Sequence, residues 1–312
     1  MSSSLQRHLL DPRTPQTAAG FVDDCFAVVD LRRGRRGFSL ASSAVTPIRT
    51  GLITPGFDSS NLHDPAELIE IILQTTEAAG LSRKRRWSVA LPEGSARTLV
   101  VTLESKPSGR RELNEILSWK IERVIATPTS ELRISRQRLS PAGGQERYLV
   151  TVARDDIASE YEAMFKRIGW QTGLVLPRHL GEAQWLTWDK RPGDKMLVSA
   201  NRSGFTSVIV RNGELVLVRS YACEPQARSD ELHRFALYYR DRLAPAGSPP
   251  EVTGLLVIGG MDVAEASSAV TDALDAHPVV LDPAEFGLDL KGEPIRFDQL
   301  ASAAGMATIA WQ

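Results

Sequence analysis

At 312 residues the chain is too long for one simple core, and its 42% hydrophobic and 24% charged content is that of an ordinary globular protein of two domains. A net charge of −1 gives no whole-chain reason for nucleic acid or another polyanion as a partner. Two cysteines, Cys25 and Cys223, exclude a disulfide framework and suit a reducing cytosol, and no apolar run approaches the roughly 20 residues that span a bilayer.

Residues 1–20 lack the apolar core of a signal peptide and read as a loosely ordered polar leader. Residues 24–31 form a buried strand and residues 37–44 a second, joined by the basic turn Arg32-Arg33-Gly34-Arg35-Arg36, which is either a solvated face or an anion site. Residues 65–80 form a helix with Asp64 as N-cap, Pro65 in the first turn, Gly80 past the end and an apolar stripe of Leu68, Ile71, Ile72 and Thr75. The basic run 82–86 has no aromatic ladder beside it and reads as a solvated connection. Two short strands, 87–91 and 97–103, precede a helix over 109–125, whose apolar positions Leu113, Ile116, Leu117, Ile121, Val124 and Ile125 have helical spacing. Pro128 stops that helix, and strands at 132–139 and 147–153 follow across a Gly-Gly loop. The spacing predicts a small β-β-α-β-β module, residues 84–153, inserted in a first domain that spans 21–190.

A helix at 155–168, a strand at 170–176 and a helix at 180–188 complete that domain, and residues 191–194 mark the boundary to a second, 191–312. The second domain opens with strands at 196–200, 205–210 and 215–219 across the turns 201–204 and 211–214, of which Asn212-Gly213 is a strong hairpin signal. A helix at 229–243, a continuous apolar strand at 254–258 running into Gly259-Gly260, a helix at 264–277, a strand at 279–281 and a small-residue helix at 297–309 entering a last strand close the chain. Each half begins with a hairpin and then alternates helix with strand, so the expected fold is a duplicated α/β core.

Signatures of metal and nucleophile chemistry are missing from this pattern. His8, His63, His179, His233 and His277 are scattered, and HExxH, GxSxG, GxxxxGK[ST] and GxGxxG do not occur. Four turns remain that could cradle a phosphate with backbone N–H groups: 30–34, 201–206, Gly259-Gly260 and the segment before Gly305. A glycine pair after a strand is weak evidence alone, because tight βα turns need glycine anyway. Two hairpin turns followed by strand-Gly-Gly-helix is the order found in actin-like nucleotide-binding proteins.

The helix Glu112 to Thr127 reads ELNEILSWKIERVIAT. It resembles a pattern of the PilM family, E-L-x-x-x-I-x-W-E-A-E-x-Y-I-P-F, with Trp119, Glu122 and Ile125 in register, Lys120 where the pattern has Glu, and Ala126-Thr127 where it has Pro-Phe. Residues 148–169, 229–260 and 297–309, the last with Gly305 in place, look like further segments of that family, and the resemblance covers nearly the whole chain. PilM proteins are actin-like cytoplasmic proteins of type IV pilus assembly, related to the cell-division protein FtsA. The resemblance implies an actin-like (ribonuclease H-like, duplicated) two-domain fold with an inserted small α/β subdomain. It also implies a nucleotide site at Asp30, Arg32, Ser199, Gly204, Thr206, Gly259 and Gly260. The turns depart from the family's D-I-G-S-S-S-x-K and D-I-G-x-x-x-T: Arg32 stands at the close-approach glycine, and Ser199 or Asn201 near the second acidic residue. ATP hydrolysis is therefore expected to be lost, while residual ATP and Mg²⁺ binding stays open, since Arg32 or Arg202 can meet a phosphate.

The family resemblance further implies a scaffold that holds the cytoplasmic N-terminal tail of a PilN-like bitopic inner-membrane protein in a groove beside the inserted module. Ile116, Trp119, Val124 and Ile125 are the candidate contacts. Such a protein is cytoplasmic, meets the inner membrane and other pilus platform proteins through partners, binds no nucleic acid, and leaves a homo-oligomer open. Two alternatives stand beside it. One is an actin-like ATPase, which needs an acidic residue in each phosphate hairpin. The other is the cytoplasmic component of a type II secretion system of the GspL kind, in which a transmembrane helix follows, whereas this sequence ends at Ala310-Trp311-Gln312.

Overall fold

The computed structural model describes residues 14–35, 37–243, 252–288, 290 and 295–311. Strands and helices are numbered in chain order. The first sheet holds β1 (Thr17–Val22), β2 (Cys25–Gly34), β3 (Gly37–Pro47), β4 (Arg86–Leu91) and β8 (Gln171–Pro177) in the order β3-β2-β1-β4-β8. The second holds β9 (Asp194–Asn201), β10 (Gly204–Arg211), β11 (Glu214–Ala222), β12 (Val252–Ile258) and β13 (Val279–Val280) in the order β11-β10-β9-β12-β13. In both, three antiparallel strands are followed by two parallel ones. Equal order and equal sense make the halves copies of one ribonuclease H-like unit, so the duplicated α/β architecture is present.

Three expectations change. Residues 17–20, assigned to a loose leader, are the start of β1, the central strand, whose six residues are all buried. Its sequence, TAAGFV, lacks the bulky alternation that marks a strand because a helix lies on it: a Cβ at Gly20 would come 2.6 Å from Ser302 Oγ. Second, β4 belongs to the main sheet and not to the inserted module. Trp87, Ser88, Val89 and Ala90 are wholly buried, as a parallel strand covered on both faces requires. The module is instead β-α-β-β, a three-stranded sheet β5-β7-β6 built from β5 (Arg97–Thr102), β6 (Leu132–Ala142) and β7 (Gln145–Arg154), with one helix against it. Third, residues 309–311 form a short 3₁₀ turn rather than a final strand.

Seven helices among the described residues cover these sheets. Helix α1 (Pro65–Ala78) is capped as expected, with Asp64 Oδ1 accepting from Ala66 N and Glu67 N at 3.0 Å. With α3 (Asp155–Arg167) it covers one face of the first sheet over Phe21, Phe26, Phe165 and the stacked pair Trp87–Trp170. Helix α2 (Arg110–Ile125) lies on the module's sheet. Helices α5 (Arg228–Arg242) and α6 (Val263–Leu274) cover the outer face of the second sheet.

The remaining two helices, α4 (Arg178–Trp188) and α7 (Phe297–Thr308), fill the space between the sheets and are exchanged. Helix α4 ends the first half and packs on β9 and β10 as well as on β1, β4 and β8, and α7 from the second half packs chiefly on β1, β2 and β4. They cross at Gly181 and Gly305, where a Cβ on Gly305 would come 2.5 Å from the Gly181 carbonyl carbon. Trp185 Nε1 donates to Ala301 O at 3.0 Å beside the crossing. One apolar cluster, from Val29 and Leu31 through Trp185 to Leu197, Val208 and Leu256, therefore runs through both halves.

Candidate functional site

The matching hairpins of the two sheets place their turns opposite each other: Asp23-Asp24 between β1 and β2, and Arg202-Ser203 between β9 and β10. One ion pair runs between them, Asp24 Oδ2 to Arg202 Nη2 at 3.9 Å, and Asp23 Oδ1 faces Nη1 of the buried Arg178 of α4 at 3.8 Å. Two carboxylates on one turn repel a phosphate, and the cations that could attract one already face them. In the second turn Asn201 Oδ1 accepts from Ser203 N at 2.9 Å, so that amide serves the turn itself.

The other candidates are similarly engaged. Thr206 Oγ1 donates to Glu93 Oε1 at 2.7 Å and lies 2.8 Å from Ser220 Oγ. Ser199 is wholly buried beside Glu182, which accepts from Arg178 Nε at 2.8 Å. Gly204, at φ +149°, is required because a Cβ would come 2.9 Å from the Tyr221 carbonyl carbon of β11. Gly259, at φ +90°, lets the turn after β12 press on Ala200, whose carbonyl accepts from Arg178 Nη2 at 3.1 Å. Arg228 closes the same turn, donating to Gly260 O at 2.6 Å and to Asn201 O at 2.5 Å. The glycine pair and the second hairpin are thus brought together, held by two buried arginines.

Asp30 and Arg32 lie elsewhere. Asp30 pairs with Lys84 at 3.1 Å, and Arg32 is exposed near the β2–β3 tip, at the far end of a strand that carries it roughly 25 Å from the Asp23-Asp24 turn at about 3.4 Å per residue. The sequence reading took the basic turn for the first phosphate hairpin because Asp30 matched the motif's acidic residue. The available signal was the Asp-Asp dipeptide between the apolar runs AAGFV and CFAVV.

Beneath the turns a buried polar network joins the halves. His179 Nδ1 donates to Glu93 at 2.9 Å, since an ionised carboxylate only accepts, and His179 Nε2 lies 2.9 Å from Thr98 Oγ1. Burial works to raise the Glu93 carboxyl, but His179, Thr206 and Arg178 outweigh it and hold its pKa down to about 2. For Glu182 burial prevails over Arg178 and pushes the carboxyl up. A cavity of about 670 Å³ opens above the network, with Glu93, Arg97, Ser203, Arg219 and Tyr221 in its wall.

A second concavity lies on the module. The stripe of α2 divides the four expected contact residues. Ile116 and Ile125 are partly buried and pack with Leu117 and Ile121 on Tyr148, Val150 and Val152, so they belong to the module's core. Trp119 and Val124 are 57% and 63% exposed. They line a groove of about 450 Å³ whose other wall is Leu217, Val218 and Tyr238 of the second half, with Leu99 and Val101 between. β5 and β11, which face this groove, are both edge strands of their sheets. The rim is cationic: Arg123 lies over the Trp119 ring at 5.4 Å, Arg219 over Tyr238 at 3.7 Å, and Lys120 pairs with Glu104 at 3.3 Å.

No protein-family model and no curated protein matches the sequence. Solved structures do match. A chain of a PilM–PilN type IV pilus biogenesis complex superposes with a TM-score of 0.75 at 18% identity, over 96% of this chain and 100% of that one. The cytoplasmic domain of EpsL, an inner-membrane component of the Vibrio cholerae type II secretion system, gives 0.46 at 13% identity, over 79% and 82%. A Bacteroides thetaiotaomicron protein with an actin-like ATPase fold gives 0.47 at 12% identity, over 92% and 95%. With its duplicated sheets and inserted module, the chain has an actin-like fold, shared over its length with the matching chain of the PilM–PilN structure.

Proposed function

We propose that the protein is a non-catalytic scaffold of a type IV pilus inner-membrane platform, and that it holds the cytoplasmic N-terminal tail of a PilN-like membrane protein. The carrying observation is the groove in which exposed Trp119 and Val124 stand beside β5 and β11, each an edge strand of its sheet. An extended peptide gains main-chain hydrogen bonds from such an edge and side-chain pockets from the apolar wall. The cleft supports the non-catalytic part of the reading: its turns set Asp23 and Asp24 against Arg178 and Arg202, and Thr206 is spent on Glu93. The scaffold sits at the inner membrane on the cytoplasmic side and is tethered there by its partner. Among the described residues no helix is long and apolar enough to cross a membrane.

The test is calorimetric titration with a synthetic N-terminal tail of the bitopic protein encoded beside this chain. Trp119→Ala with Val124→Asp should weaken binding by about 30-fold, as for loss of an interface anchor worth roughly 2 kcal/mol. The melting temperature should hold, because both side chains are more than half exposed. Absence of binding by the native chain, or equal binding by the double variant, overturns the proposal.

A further inference from the structure

The fold gathers two basic runs, distant in sequence, at one end of the first sheet. The β2–β3 tip presents Arg32, Arg33 and Arg35, and the loop between α1 and β4 presents Arg83, Lys84 and Arg85, all exposed. They are joined at Asp30, which lies two residues before Arg32 on β2 and pairs with Lys84 at 3.1 Å. The loop is fixed to the same end by the Gln171 N–H, which donates to Arg85 O at 2.8 Å. Lys166 and Arg167, in the last turn of α3 just before that strand, extend the cationic area. Asp30 on β2, Glu77 in the last turn of α1 and Asp189 after α4 are acids toward this end, while Glu67 and Glu70 of α1 and the four acids of α3 lie in earlier turns of those helices. Lys84 takes up Asp30, and Arg191 takes up Asp189 at 2.9 Å. Over the whole chain the net charge is −1, so the rest of the molecule is acidic and the basic end stands out as one pole.

We propose that this end of the first half docks directly on an anionic lipid surface, independently of any peptide in the α2–β11 groove. Two loop tips side by side at the end of a sheet present their cations together, as a plane of anionic headgroups requires. A half-buried tryptophan borders these tips, as is common where protein meets the membrane interface. The Trp188 ring already has the Arg33 guanidinium 5.1 Å and Lys190 Nζ 5.8 Å from its centroid, so it is engaged by cations rather than open for a base to stack on. Clustered Lys and Arg residues bind anionic headgroups additively, and the attraction fades beyond a Debye length of about 8 Å at physiological salt.

The experiment is co-sedimentation of the full chain with vesicles of phosphatidylcholine alone or mixed with phosphatidylglycerol. Binding is expected only to the mixed vesicles, and it should fall steeply with added salt. Arg32→Ser, Arg83→Ser and Arg85→Ser together should weaken it by about 100-fold, at about 5-fold per cation removed. The control variant Arg110→Ser with Arg136→Ser, exposed cations on the module, should leave binding intact. Both variants should melt with the native protein. Equal binding to neutral vesicles, equal loss in the control variant, or a labelled DNA duplex held more tightly than the mixed vesicles would each overturn the proposal. No partner peptide enters the assay, so failure here leaves the groove proposal standing, and the converse holds.

Discussion

Replacing Gly305 by alanine sets helix propensity against packing. Inside an exposed helix the change would stabilise by about 1 kcal/mol, because glycine carries more backbone entropy into the folded state. Here a Cβ at position 305 would lie 2.5 Å from the Gly181 carbonyl carbon and closer still to its oxygen, whereas carbon atoms in contact normally stand about 3.5–4.0 Å apart. Helices α4 and α7 would have to separate by about 1 Å. Sliding offers no escape, since a Cβ at Gly181 itself would come 2.6 Å from Ser302 O. Separation strips contacts around Trp185 in the cluster that both halves share. Forced overpacking costs typically 1–3 kcal/mol, occasionally more, and this clash is with backbone, which cannot rotate away. The expected net, from the upper end of that range, is a loss of about 2 kcal/mol after the propensity gain. That corresponds to a fall in melting temperature of about 4–6 °C at roughly 2–3 °C per kcal/mol. Urea unfolding followed by circular dichroism reads it directly. A midpoint equal to or above that of the native chain would refute the crossing as a close-packed contact.

Glu93 sets a pH window. Its carboxyl is held below its unfolded value of 4.5, at about 2, so the stability it contributes is complete above pH 4.5 and lost as pH falls toward 2, about 3 kcal/mol in all. Urea midpoints across that window should decline in the native chain and flatten in Glu93→Gln. The turn pair behaves differently: Asp24 and Arg202 are 67% and 51% exposed, so Arg202→Glu should cost less than about 1 kcal/mol, and the swap Asp24→Arg with Arg202→Asp should recover it. Calorimetric titration of Mg-ATP into the native chain should give no saturable heat; saturable binding with measurable turnover would overturn the reading of the closed turns.

The second half was the more legible one. Its three hairpin strands, the Asn212-Gly213 turn and the apolar strand into Gly259-Gly260 all lie where alternation and turn chemistry put them. In α2 the helical spacing was correct, but it could not separate Ile116 and Ile125, which face the sheet, from Trp119 and Val124, which face solvent. That division depends on where the sheet lies. β1 escaped notice because small residues admit α7, and that reason is written in Ser302 and Ala303, far along the chain. The first hairpin was then sought one strand too late. Thr206 suited a phosphate turn locally, and its actual partner, Glu93, is 113 residues away. A motif records side-chain types at a spacing, whereas the site is decided by which distant groups consume them.

The exchanged helices also bear on how the protein is made. The first half is synthesised with β1, β2 and β4 in place, but the face bearing Ala18, Ala27, Val29 and Leu31 is covered mostly by α7, which follows the entire second sheet in the sequence, and only in part by α4. Domains usually fold as units in order of emergence from the ribosome. This first half completes its core late, because the larger part of its inner wall arrives last. The nascent chain consequently carries an incompletely covered apolar face until α7 emerges, and a product that stops short of α7 keeps it.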